Sequence, residues 1–344
     1  MLSTSISRLP AILAVAFALL CSAANAQVGL VQTKASDLPI TVLYPTDVKA
    51  ALQKLGPFDI SVALNAAPSN GNGRLIVLSH GTGGDALTLH GLASTLARAG
   101  FVVVQPEHKG DNWRDQSDSG PVSLQRRPLE VSQAIDAIAK DPRFNKFLKL
   151  DQVGVFGMSA GGMTGLALAG GDWSLANLLS HCAAHVQDDA NFCLYGARSK
   201  EQAAERAQAF FKPQPVGADE LLGGARVRDP RVAAVAVSVP VGAIFTPASL
   251  AAIRIPVGIV QADSDRILSP RFHSTYVLAN CTRCISLDTL VGAGHFDVLW
   301  PWPDVIAQGN ARMPGGTRNP AVDDGRRQQA DNAVAEFFSK SLLP

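Results

Sequence analysis

Short apolar runs recur along the chain, and most of them end in clusters of Gly, Pro, Asn, Asp and Ser. Pro39–Pro45 and Phe58–Leu64 alternate apolar and polar positions, which predicts two strands with one wet face. Arg74–Ser79, Phe101–Gln105, Val153–Phe156, Arg231–Val239 and Ile255–Gln261 are almost continuously apolar, as strands covered on both faces are. Cys284–Leu290 predicts one more strand. Helical patterns stand between them. Leu87–Ala99 is closed by Gly100, and a second helix begins near Pro128 with Val131, Ile135 and Ile138 on one face. Met163–Ala169, Pro270–Leu278 and an amphipathic Gln328–Leu343 complete the set. Strands alternating with helices at this spacing predict an α/β fold. Its central sheet is mostly parallel, with helices on both faces and right-handed crossovers.

The alternation breaks between Asp172 and Pro230. That stretch carries two histidines, two cysteines, a helical run at Lys200–Phe211 and a Pro/Gly-rich loop. It predicts a small helical cap inserted over one edge of an otherwise single domain, residues 27–344.

Residues 1–26 have the pattern of a secretory leader. Arg8 precedes the apolar run Leu9–Leu20, and Ala24-Asn25-Ala26 supplies a small-x-small cleavage site. Leu20 argues against lipidation at Cys21. No later segment offers the roughly 18 uninterrupted apolar residues of a membrane span. The expected product is an exported protein, periplasmic or secreted. In an oxidising compartment the remaining Cys182, Cys193, Cys281 and Cys284 favour disulfides. Of the three connectivities we take the sequence-local one, Cys182–Cys193 and Cys281–Cys284.

Composition narrows the choice of partner. With 47% hydrophobic and 17% charged residues, the 344-residue chain can bury a large core. A net charge of +1 gives no electrostatic footprint for nucleic acid.

The chemistry centres on Gly157-Met158-Ser159-Ala160-Gly161-Gly162, which joins a predicted strand directly to a predicted helix. Gly-x-Ser-x-Gly alone is a weak pattern. Between strand and helix it describes a tight, strained turn that exposes a nucleophilic Ser159 above the sheet edge. Serine needs a base, and the base needs an orienting carboxylate, in the chain order Ser, acid, His. His295 lies in a glycine-rich loop after the Cys284–Leu290 strand. The acid comes from the loop after Ile255–Gln261, where Asp265 is preferred and Asp263 is the alternative. Oxyanion donors are expected from the N–H of Ala160 and from the N–H of Thr82, within His80-Gly81-Thr82-Gly83-Gly84. His80 is expected to brace that loop, while His108 and Asp111 either line the pocket or brace it too.

The segments HGTGG, FVVVQPEHKGDN, RRPLE, GMSAGG, QADSDRILSP and GAGHFDVL, between Leu38 and Leu299, together resemble an α/β-hydrolase. More narrowly they resemble the exported dienelactone-hydrolase-like proteins related to platelet-activating-factor acetylhydrolase. The resemblance implies the α/β-hydrolase fold and a serine carboxylic-ester hydrolase acting on a small-molecule or lipid ester, with no cofactor and no metal. Two positions depart from it. Dienelactone hydrolases have cysteine where Ser159 stands, and Ala262 replaces a glycine frequent before the acid loop. An amidase, peptidase or thioesterase on the same triad is the first rival, and a non-catalytic binding protein the second. His181 and His185, four residues apart, lack the glutamate of an H-E-x-x-H zinc motif and predict a polar cap face. Trp300 and Trp302 offer either a hydrophobic wall or ordinary packing.

Overall fold

The computed structural model describes residues 27–194 and 228–344. The predicted leader and the Lys200–Phe211 helix lie outside the described residues. The strands are β1 (Gln27–Ala35), β2 (Leu38–Thr46), β3 (Ala51–Leu55), β4 (Phe58–Leu64), β5 (Leu75–Ser79), β6 (Val102–Pro106), β7 (Val153–Met158), β8 (Val232–Ser238), β9 (Val257–Ala262) and β10 (Cys284–Leu290). They form a ten-stranded sheet in the order β10-β9-β8-β7-β5-β6-β2-β1-β4-β3. From β6 to β10 every neighbouring pair is parallel. β2 joins this block antiparallel to β6, and β1 pairs antiparallel with β2. This is the α/β-hydrolase-like arrangement.

The helices among the described residues are α1 (His90–Arg98), α2 (Pro121–Lys140), α3 (Ala160–Leu168), α4 (Leu175–His185), α5 (Ala190–Cys193), α6 (Pro247–Ala251), α7 (Ser274–Asn280), α8 (Asp304–Asn310) and α9 (Asp324–Leu342). The period-2 alternation of β7 splits the core into two. Val153 and Val155 pack with Val131, Ile135 and Met163 of α2 and α3. Phe156 and Met158 pack on the other face with Leu92 and Leu96 of α1 and with Val334 and Phe338 of α9. Helices therefore cover both faces, and this is why the inner strands read as unbroken apolar runs. No described helix is long and apolar enough to cross a membrane.

Four elements depart from expectation. The helix predicted near Pro128 begins at Pro121, after Gly120 at φ 104°, and contains Pro128. Proline is well suited to N1 and ordinarily breaks a helix interior, so the later proline masked the true start. β1 and β3 were not anticipated. β1 holds Gly29 against the ring of Tyr44, where a side chain would collide. β3 has no buried residue. Neither pattern announces itself. α9 starts at Asp324, capped by the Asp323 carboxylate accepting from the Arg326 N–H.

Both sequence-local disulfides are present. Cys182–Cys193 and Cys281–Cys284 each have Cα atoms 5.3 Å apart.

Candidate active site

Because β7, β9 and β10 are parallel and close in the sheet, their C-terminal ends deliver Ser159, Asp265 and His295 to one edge. Ser159 stands between β7 and α3 at φ 58° and ψ −117°, a region that side chains rarely occupy. Close packing makes the turn possible. A Cβ on Gly157 would strike the Gly161 carbonyl, and one on Gly161 would strike the Ser79 carbonyl. The Ser159 N–H donates to Ser238 O at 3.0 Å, and its carbonyl accepts from Met163 N and Val241 N, both at 3.2 Å. The backbone is thus held on both sides while Ser159 alone, of the run Val153–Leu168, retains partial exposure.

Asp265 and His295 meet directly. His295 Nδ1 lies 2.7 Å from Asp265 Oδ2, with both side chains almost fully buried. The other carboxylate oxygen accepts from Ile267 N at 2.8 Å and Leu268 N at 2.9 Å, which fixes the acid in its turn. Asp263 does something else. It is exposed, and its Oδ1 accepts from Gly292 N at 2.7 Å, tying the acid loop to the histidine loop. The histidine loop is braced from below by buried Asp297, which accepts from Gly294 N at 2.8 Å and Arg327 Nη2 at 3.1 Å. With Nδ1–H given to the acid, His295 keeps its Nε2 lone pair for a proton. Among the described residues no hydrogen bond joins Nε2 to Ser159 Oγ. Such contacts are commonly loose in ligand-free enzymes and close on substrate.

The loop after β5 lies against the nucleophile. A Cβ on Gly81 would meet that of Ser159 at 3.3 Å. Thr82, next along, is exposed, and its N–H donates to no described group. Ala160 is the first residue of α3, where a helix has N–H groups without intrahelical acceptors. Among the described residues neither N–H has a backbone acceptor, and both lie beside Ser159.

Behind this loop lies a buried polar network. His80 Nδ1 is 2.7 Å from Gly81 O, and its Nε2 accepts from His108 N at 3.1 Å. His108 bridges Ser79 Oγ, 2.7 Å away, and Glu130 Oε2, 2.6 Å away. Burial holds both imidazoles well below the ordinary histidine pKa, with the neighbouring Arg127 charge adding to it. Both are neutral. Ser79–His108–Glu130 thus has the connectivity of a serine triad, but Ser79 and His108 are wholly inaccessible, so it braces rather than reacts. His80 braces the loop as expected; of the two roles left open for His108 and Asp111 their contacts are those of bracing, and Arg127 and Glu130 join them as partners that the sequence did not single out.

Other predicted features fall outside this edge. His181 Nε2 bonds Asp189 Oδ2 at 2.9 Å, and the nearby Cys193 sulfur is bound to Cys182, so it cannot act as a thiolate ligand. Trp300 donates its Nε1–H to buried Asp331 at 2.7 Å, and Trp302 packs near Phe58.

No protein-family model matches the chain, and no curated protein matches it. Solved structures do. The chain is similar to a ferulic acid esterase from Streptomyces cinnamoneus, with a TM-score of 0.58 and 17% identity over 92% of this chain and 89% of that one. At that identity the likeness establishes a common fold.

Proposed function

We propose that the chain is an exported serine hydrolase that cleaves carboxylic esters, lipid acyl and acetyl esters among them. The observation that carries this is the strained, part-exposed Ser159 on the same sheet edge as an Asp265–His295 pair bonded at 2.7 Å. Ser159 Oγ attacks the ester carbonyl as His295 Nε2 takes its proton. Asp265 holds the tautomer and stabilises the imidazolium. The N–H groups of Thr82 and Ala160 receive the oxyanion, aided by the positive end of α3. Collapse returns the proton to the leaving alcohol and leaves an acyl group on Ser159. His295 then activates the water that releases it.

The likeness to a ferulic acid esterase favours an ester over an amide or thioester. The leader-like residues 1–26 and the two disulfides favour export. The test is labelling with a fluorophosphonate, followed by p-nitrophenyl esters graded in acyl length. The protein should label and turn over esters, and Ser159→Ala should do neither. A folded wild-type protein that takes no Ser159-dependent label would sink the catalytic role. Labelling without turnover of any ester would move the bond to an amide or thioester.

A further inference from the structure

Arg127 is fully buried, and so is the carboxylate of Asp111 that it meets at 2.8 Å. Such a pair adds little net stability, because desolvating two charges offsets most of their attraction. Its contacts suggest another purpose. The Arg127 fork also donates to the carbonyls of His80 and Gly81, the latter at 3.3 Å from Nη2. Asp111 in turn accepts from Gly83 N at 3.1 Å and from the hydroxyls of Ser119 and Ser123, each at 2.8 Å. The ion pair therefore grips the backbone on both sides of the peptide that joins Gly81 to Thr82.

A peptide unit is planar and trans, so fixing its carbonyl fixes its N–H in the opposite direction. Gly81 O accepts from Arg127 Nη2, from Gly84 N at 3.1 Å and from His80 Nδ1 at 2.7 Å. The His80 bond has a defined polarity. Because Nε2 accepts the His108 N–H, Nδ1 must carry the proton and donate it. Gly81 is buried and Thr82 exposed, so the carbonyl faces the network and the amide faces the edge where Ser159 stands. Donors on the carbonyl also polarise the amide, strengthening it as a donor.

We infer that Arg127, together with neutral His80, is a positioning residue that locks the Gly81–Thr82 peptide with its N–H turned toward Ser159. This rests on the serine-hydrolase function proposed above only for its kinetic consequence; the peptide's orientation is independent of it. Arg127 acts through the backbone, and neither side chain touches substrate.

The test is Asp111→Leu/Arg127→Met, which removes both buried charges together, beside Arg127→Lys. The crystal structure of each variant and its kcat and KM on a short-chain p-nitrophenyl ester are the measurements. The double variant should rotate the Gly81–Thr82 peptide and lower kcat about 10²-fold, the loss typical of one oxyanion donor, with KM changed less than about threefold. Arg127→Lys should fall between, since an ammonium can hold Asp111 but lacks the fork that reaches both carbonyls. A folded variant with this peptide unmoved and kcat unchanged overturns the inference. If the double variant does not fold, Arg127→Lys decides on the same two measurements. If the wild-type protein cleaves no ester, the proposed function fails, and the peptide's orientation in the variant still decides this point.

Discussion

Ser159 occupies φ 58° and ψ −117°, a conformation that suits glycine and costs a serine on the order of 1–3 kcal/mol. Glycine would relieve that strain but lose about 0.5–1 kcal/mol to its greater freedom when unfolded. Ser159→Gly should therefore be more stable than Ser159→Ala by about 1 kcal/mol, although neither takes up a fluorophosphonate. Urea denaturation of the pair checks this, and a glycine variant less stable than the alanine variant by about 0.5–1 kcal/mol would mean that the elbow stores no strain. The two acidic candidates separate at the same scale. Asp265 touches His295, whereas Asp263 ties Gly292 to the acid loop. Asp265→Asn should lower kcat by roughly 10⁴-fold, as loss of the orienting carboxylate does elsewhere. Asp263→Asn should leave kcat within a few-fold. The reverse order in steady-state kinetics would reassign the acid.

At the scale of elements, one buried carboxylate stands at the centre of the contacts that tie the described part of the cap to the core. Asp189, just before α5, accepts from His181 Nε2 of α4 and from His273 Nε2 beside α7, each at 2.9 Å. His273 Nδ1 accepts the Gly242 N–H at 3.1 Å, and the residue before it, Val241, donates to the Ser159 carbonyl. The cap is thereby connected to the loop that supports the nucleophile. Burial alone would raise the Asp189 pKa, but the bonds from His181 and His273 outweigh it and bring it to about 2. A depressed carboxylate contributes stability that is present above its unfolded value, near 4, and lost as pH falls toward 2. Asp189→Ala should expose the Leu175–Leu194 segment to limited proteolysis near neutral pH and cost about 2–3 kcal/mol from stranded imidazole donors. Unchanged cleavage would show that the disulfide, the apolar contacts and the remaining bonds from Asn177, Asp188 and Asn191 hold the cap without it. This link could not be read from the sequence, since its residues lie 84 positions apart and neither has a periodic or motif signal. The elbow, the acid loop and the histidine loop were legible for the opposite reason. Each is a local strand-to-loop transition, with its glycines and its reactive side chain inside one short window. Arg127 belongs with Asp189, because an arginine on an otherwise amphipathic helix reads as solvated until the fold closes over it.

At the scale of the whole molecule, α9 carries a group whose ionisation opposes folding. Asp331 is buried against the sheet, and Trp300 Nε1 is 2.7 Å from its Oδ2. Burial raises its pKa to about 8, only partly countered by the tryptophan bond. The surroundings explain the size of the effect. Asp331 faces a cavity of about 20 Å³ shared with Met158, Ser238 and Val334. That is room for about one water, too little to hydrate a carboxylate. Between the unfolded carboxylate pKa near 4 and the folded value near 8, the native state holds a proton that the unfolded chain has released. Stability therefore falls as pH rises across that window and levels off above it. Asp331→Asn keeps an acceptor for Trp300 and removes the titration. Its advantage over the wild-type protein in denaturant midpoint should grow from pH 5 to pH 8 and then plateau. Activity on a short-chain ester should persist, because Asp331 is bonded to Trp300 and makes no hydrogen bond to Ser159, Asp265 or His295. A constant offset between the two proteins across that range would show that Asp331 is already ionised and solvated at pH 5, and that the cavity beneath β7 is open to water.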